Sequence, residues 1–301
     1  SVTSNLPSVL RGGKDFSAWV PKDRLLYSTI RVPVEAVLGR SGVGLGDIAL
    51  AESRYVKGED ITDTFLTLTS RRIEIQRKGT PEMEFVLDAL LAWCQCDQGN
   101  AKQAVQDISS FRVQMEETSQ LLPNINALLC RFDLLSGGEY THMWFVEQAP
   151  DENDFFIMER YRYLTKIRCY LQRRDFLSAL GLLGRLLDYF TQYDRTLDRI
   201  EAPTLLAICR YRMEAGDWQE HLITALKLAE AYGYVTVFAH EGAALLPLLQ
   251  KLDGGVSTII LQRTRAYAAL YPDYLQPAGS ASIQSLTKKE LEVLRLMCRG
   301  K

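Results

Sequence analysis

The chain has 301 residues, of which 47% are hydrophobic and 24% charged, with a formal net charge of −2. This is ordinary globular usage and excludes a wholly disordered chain. Near-neutral charge also speaks against a phosphate backbone as the main partner. No apolar run reaches the roughly 18–20 residues of a membrane-spanning helix, and the first residues lack the basic-then-apolar pattern of a signal peptide. The six cysteines are scattered and no asparagine opens an N-x-S/T sequon. The expected location is therefore a reducing cytoplasm, with no membrane partner.

Residues 1–20 read as a Gly/Ser-containing lead-in. The chain opens without Met and stops within a helical pattern, which reads as a piece of a longer polypeptide. The glycine-rich stretch Gly39-Arg40-Ser41-Gly42-Val43-Gly44-Leu45-Gly46 lacks the Lys-Ser/Thr of a phosphate-binding loop. It is expected to be a flexible junction before a helix at 47–57.

Turn signals recur along the chain at positions 58, 99, 137, 174, 216 and 254, spaced 41, 38, 37, 42 and 38 residues apart. A near-constant period of this length suits two helices and a tight turn, longer than a tetratricopeptide (TPR) unit of about 34 residues. Between the turns, 155–172 carries Ile157, Tyr161, Leu164, Ile167, Cys169 and Leu171 on a broad apolar face. In 175–190 apolar residues nearly encircle the helix, which predicts packing on several sides. The helix after each turn repeats a small-then-bulky pair: Thr64-Phe65, Ala104-Val105 and Ala179-Leu180. A small residue lets neighbouring helices approach closely. His221-Leu222 breaks that pattern. His221 reads as an edge or surface position, with a buried functional histidine as the alternative.

The third unit is the least regular. Its second helix is short and ends at Pro150, and the acidic loop Asp151-Glu152-Asn153-Asp154 is expected to be a hinge or insertion. Strand signals are almost absent. The predicted fold is all-α: a right-handed α-solenoid of TPR-like helix-turn-helix repeats over 21–275. A Pro/Gly/Ser linker follows at 276–285. Residues 286–301 then begin a new, basic element, where Thr287 and Glu290 form a capping box.

No catalytic pattern stands out. There is no H-E-x-x-H, G-x-S-x-G or paired-cysteine zinc framework, and His142, His221 and His240 are far apart. Cys94 and Cys96 point to different helix faces and read as plain thiols. The chain is expected not to be an enzyme and to hold no metal or cofactor. Most aromatic residues read as core. Arg162 and Lys166 fall opposite the apolar face of 155–172, and Arg210 and Tyr211 fall similarly on a helix at 203–214. These four are the candidate ligand-binding residues of a concave groove; the alternative is a solvated outer face.

Two parts of the chain carry a family resemblance. Leu286-Thr287-Lys288-Lys289-Glu290-Leu291-Glu292-Val293-Leu294-Arg295-Leu296-Met297 resembles the opening of a LuxR-type DNA-binding domain, with Lys289 in place of the usual Arg. The array resembles the TPR-like sensor region of MalT-like, ATP-dependent LuxR-family regulators. Residues 6–16, 49–55 and 229–242 carry this resemblance, with Thr236 and His240 standing where Arg and Asp are common. The resemblance implies a three-part transcriptional regulator. An ATPase switch outside this chain would use ATP, the array would sense an inducer or a regulatory protein, and a helix-turn-helix domain would bind promoter DNA. Only the first helix of that domain falls within 286–301, so DNA binding is expected only of the complete parent. The rival reading is a protein–protein scaffold whose groove holds a peptide or partner protein and no metabolite.

Overall fold

A computed structural model describes residues 24–276, apart from 118, 194 and 253. The lead-in 1–20, residues 277–285 of the linker and the element at 286–301 lie outside the described residues. The described residues hold fourteen α-helices and no strand. No helix among them is long and apolar enough to cross a membrane.

α1 (Arg24–Leu38) is followed by five helix pairs. These are α2 (Leu45–Val56) with α3 (Ile61–Lys78), α4 (Pro81–Cys96) with α5 (Ala101–Val113), and α6 (Leu122–Ser136) with α7 (Tyr140–Glu147). Then come α8 (Arg160–Arg173) with α9 (Phe176–Gln192), and α10 (Thr196–Arg212) with α11 (Trp218–Tyr232). A short α12 (Thr236–Ala239), α13 (Gly242–Lys251) and α14 (Thr258–Leu270) complete the described chain.

Five of the six predicted turn positions fall between the two helices of a pair, and the sixth, 254, falls between α13 and α14. The reason is backbone chirality: each of these six turns passes through the left-handed region, at Gly58, Gly99, Gly137, Arg174, Glu214 and Gly254. Asp60 and Asp175 cap the helices that follow them, accepting from Thr62 N at 2.8 Å and Ser178 N at 3.2 Å. Thr64, Ala104 and Ala179 are all buried where their helices meet the partner helix. In α11 the buried position moves on by one, to Leu222, and His221 is half-buried beside Asp217.

The helices form two layers. The first helices of each pair, α2, α4, α6, α8 and α10, contact one another in order. The second helices α3, α5, α7 and α9 each pack against their own partner and against the first helix of the next pair. α4, α6 and α10 are buried almost all round, whereas α9 buries a single stripe of Ala179, Leu182, Leu183, Leu186 and Phe190. The expectation that 175–190 packs on several sides is therefore corrected: Leu177 is 77% exposed. Among the multiply packed helices, α6 carries the buried charges Arg131 and Asp133, and α10 carries Asp198 and Glu201.

Two other expectations change. The glycine-rich stretch is a packed corner and not a loose junction. Gly44 sits at φ +75°, and a Cβ there would lie 2.4 Å from Ile75 Cδ1. Arg40 fixes the same corner by donating to the Gly79 carbonyl at 2.9 Å. The acidic loop at 151–154 is tied down. Lys166 Nζ donates to Pro150 O at 2.8 Å and pairs with Glu152 at 2.9 Å, while Arg185 donates to Glu152 O at 2.6 Å.

The chain after α11 crosses back over the inner layer. Tyr271 donates to Cys96 O on α4 at 2.6 Å, Tyr274 meets Arg131 on α6, and Arg212 of α10 donates to Leu275 O at 2.9 Å. The crossing reaches α2 as well: the Val235 amide donates to Val56 O at 2.8 Å, and Arg263 donates to Gly58 O at 2.9 Å. The first and last parts of the array thus meet along a seam.

Candidate functional site

A cavity of about 90 Å³ lies at this seam, lined by α2, α4, α6, α8, α10 and α12. Its floor is a charged network. Arg168 on α8 and Arg131 on α6 are 2% and 3% exposed. A buried guanidinium needs partners for nearly all its N–H groups, and Arg168 finds them. Its Nε donates to Glu241 at 3.0 Å, Nη2 to Glu241 at 2.5 Å and Glu201 at 2.6 Å, and Nη1 to Leu164 O at 3.0 Å. Arg131 Nη2 donates to Glu241 at 3.2 Å and Nη1 to the Tyr274 hydroxyl, which in turn donates to Glu241 at 3.0 Å.

Glu241 is the hub. Burial alone would raise its carboxyl, but Arg168 and Arg131 more than offset this and hold it below the usual carboxylate range. Burial likewise works to lower the Arg168 guanidinium, and Glu241 and Glu201 outweigh it and raise it. The network joins residues 73 and 110 positions apart in sequence. It fastens the segment after α12 to the middle of the array.

The wall is aromatic. The His240 ring stacks on Trp93, with centroids 4.1 Å apart and planes at 9°. Arg131 approaches the same indole ring, 5.5 Å from its centroid. His240 Nε2 lies 2.8 Å from the Tyr55 hydroxyl, which donates to Asp97 at 3.1 Å. Tyr55 has one proton to give, so His240 carries its own on Nε2 and donates to Tyr55. Beyond Tyr55 a second cavity of about 50 Å³ is lined by Asp97, Thr236 and Tyr267, and Tyr55 and Thr236 border both cavities. The Tyr267 hydroxyl is buried and makes no hydrogen bond.

The four residues singled out from sequence fall elsewhere, in two separate places. Arg162 pairs with Glu159, donates to Gln148 O at 2.8 Å and lines an open groove of about 850 Å³ together with Glu117, Asp151 and Asp154. Lys166 braces the same loop through Pro150 O and Glu152. Arg210 lies 3.7 Å from Asp217 at the end of α10. Tyr211 packs edge-on against Trp218, beneath Lys251. None of the four lines the seam cavity.

The stretch 229–242 does reach it, through Thr236, Val237, His240 and Glu241. A sequence signal also existed for the network. Arg168 follows Tyr161 by seven residues and Leu164 by four, which places it on the apolar stripe itself. A charge on such a stripe needs a buried partner.

Among the described residues no cluster of three or more His, Cys, Asp or Glu side chains is arranged to hold a metal ion. Cys94 and Cys96 are buried free thiols, and burial pushes both up, away from the reactive thiolate. No family model matches the chain, and no curated protein matches it.

Proposed function

We propose that this chain is the signal-sensing module of a MalT-like, LuxR-family transcriptional regulator, built as a right-handed TPR-like solenoid closed by its own residues 235–275. In this reading the module acts by binding and not by catalysis. An inducer at the seam favours one state of the array over another. The shift in population controls an ATPase switch, which uses ATP, and DNA binding by the complete helix-turn-helix domain, both supplied by the parent protein in the cytoplasm. A ligand moves such an equilibrium only by its differential affinity for the two states.

The observation that carries the reading is the position of the cavity. It is lined jointly by α2 of the first pair and by residues 236–241, through contacts such as Tyr55–His240, which are 185 residues apart. A ligand there touches both sides of the closure. The inner face, where a scaffold would hold a peptide, is crossed instead by the chain's own residues from Val235 to Leu275. That favours a metabolite over a peptide partner.

The test is a thermal-shift screen of the chain against sugars, amino acids, amines, nucleotides and aromatic acids. A ligand at 100 times its dissociation constant adds roughly 2.7 kcal/mol of stability. The reading predicts a saturable hit that is lost in Thr236→Leu, which fills the space between the two cavities. A hit that survives Thr236→Leu, or a flat screen, contradicts it.

A further inference from the structure

The unspent hydrogen-bonding groups of the seam narrow the ligand class, a conclusion that rests on reading the cavity as the sensing site. A guanidinium carries five N–H groups. Arg131 spends two of them, one on the Tyr274 hydroxyl and one on Glu241. Its Nε makes no hydrogen bond among the described residues, yet protein does not enclose it as it does the Nε atoms of Arg162 and Arg210. Arg131 is 3% exposed and lines the seam cavity, so that cavity is the space its spare donors reach. A buried guanidinium with donors to spare calls for an acceptor.

A second, independent observation comes from α12. The buried threonines Thr165, Thr204 and Thr264 each donate to the carbonyl four residues back. Thr236, buried and lining the same cavity, has no such partner for its hydroxyl among the described residues. His240 carries its proton on Nε2, toward Tyr55, which leaves Nδ1 as an acceptor that protein does not enclose either. The cavity therefore offers a strong donor on α6 and an acceptor and a hydroxyl beside α12.

The lining also sets the charge of the ligand. Three carboxyls, Glu52, Glu201 and Glu241, stand against two guanidiniums, Arg131 and Arg168, so positive charge is not in surplus. A carboxylate ligand would add a further buried negative charge beside Glu241, which, for all its burial, Arg168 and Arg131 keep ionised. An ammonium ligand finds its acceptors taken. Glu241 already receives four hydrogen bonds, and Glu52 and Glu201 have partners of their own. An uncharged ligand that both accepts and donates meets neither obstacle.

Size sets the upper limit. At about 10–15 Å³ per water-sized centre, the cavity's 90 Å³ holds about six to nine such centres. That accommodates one amide group on a short alkyl chain, and is too small for a sugar ring with its hydroxyls. Val56, Leu90 and Val237 give the chain an aliphatic wall.

We propose that the seam binds a small uncharged carboxamide, its carbonyl oxygen accepting from Arg131, its N–H groups donating on the side of Thr236 and His240, and its alkyl stem lying against Val56, Leu90 and Val237.

The test is isothermal titration of the whole chain with three probes of matched size, n-butyramide, sodium butyrate and n-butylammonium chloride, at neutral pH and one ionic strength. The expected result is saturable one-to-one binding of butyramide, with butyrate and butylammonium at least about tenfold weaker. Arg131→Lys keeps the charge, removes the planar fork of donors and weakens butyramide by at least about tenfold. Thr236→Leu, which leaves the charged network in place, abolishes binding and covers the case in which Arg131→Lys fails to fold. Equal or tighter binding of butyrate or butylammonium overturns the carboxamide assignment, as does butyramide binding that survives Thr236→Leu. If no matched probe binds, the ligand class falls. The sensing site then stands if another compound of the wider screen protects the wild type and not Thr236→Leu, and falls as well if none does.

Discussion

Replacing Glu241 by glutamine removes one charge from the middle of the buried network and changes almost no volume. Four hydrogen bonds reach the carboxylate, from Arg131, twice from Arg168, and from Tyr274. Without the charge, Arg168 keeps Glu201 as a carboxyl partner, and Arg131 keeps the Tyr274 hydroxyl. Breaking a buried pair by removing one partner costs roughly 3–5 kcal/mol, because an uncompensated charge stays behind. The amide oxygen still accepts, so the lower end, about 3 kcal/mol, is expected. The assay is equilibrium urea unfolding followed by far-ultraviolet circular dichroism near neutral pH. The midpoint falls while the slope stays as in the wild type.

A pH series adds a second reading. The folded-state pKa of Glu241 lies below its ordinary value of 4.5. Its stabilisation is therefore complete above that value and is lost as pH falls through the lowered one. The wild type keeps its advantage near neutrality and gives it up in acid. A neutral-pH loss below about 1 kcal/mol, the worth of an exposed pair, would refute the reasoning. So would an advantage that is unchanged in acid.

Other outcomes follow from single residues. Asp88 is raised from 3.8 to about 6, chiefly by burial, with Arg72 pulling the other way. A raised acid destabilises the fold as pH climbs through the window from 3.8 to about 6. Asp88→Asn should therefore gain about 2–3 kcal/mol at pH 7 and nothing below the window, as read by thermal unfolding at the two pH values. Arg174 is a non-glycine residue held at φ +60°. Arg174→Gly should stabilise by about 1 kcal/mol, and a loss of stability would show that its side chain matters more than its backbone. Gly58 sits at φ +70°, and a Cβ there would lie 3.2 Å from Val235 across the seam. Gly58→Ala should cost about 1–2 kcal/mol of stability and speed amide exchange at Val235, whereas unchanged exchange would detach the turn from the closure.

The helix pairs were legible because their signals are local. A glycine or other left-handed residue ends the first helix of most pairs, as at Gly58, Gly99 and Gly137, and a small residue four positions after the N-cap marks where the second helix packs, as at Ala104 and Ala179. The seam was not legible. It depends on pairs such as Arg131–Tyr274 and Tyr55–His240, which are 143 and 185 residues apart, and a repeat period speaks only of neighbours. Arg162 and Lys166 fall opposite the apolar face in the sequence, yet both side chains are only 13% exposed. Nothing local indicated that their partners would be backbone carbonyls of the 148–150 turn. Glu241 and Arg168 announced themselves only as charges within apolar patterns, which shows that a partner exists and not which one it is.

The most direct test of the sensing seam is hydrogen exchange at the Val235 amide, whose bond to Val56 O at 2.8 Å joins the two sides. It would be measured with and without a compound that the thermal-shift screen finds to bind saturably. The account predicts that the ligand slows exchange at Val235 and through α12 more than in the outer helices α5 and α9. Slowing spread evenly over the chain, or confined to the groove beside Arg162, would contradict it.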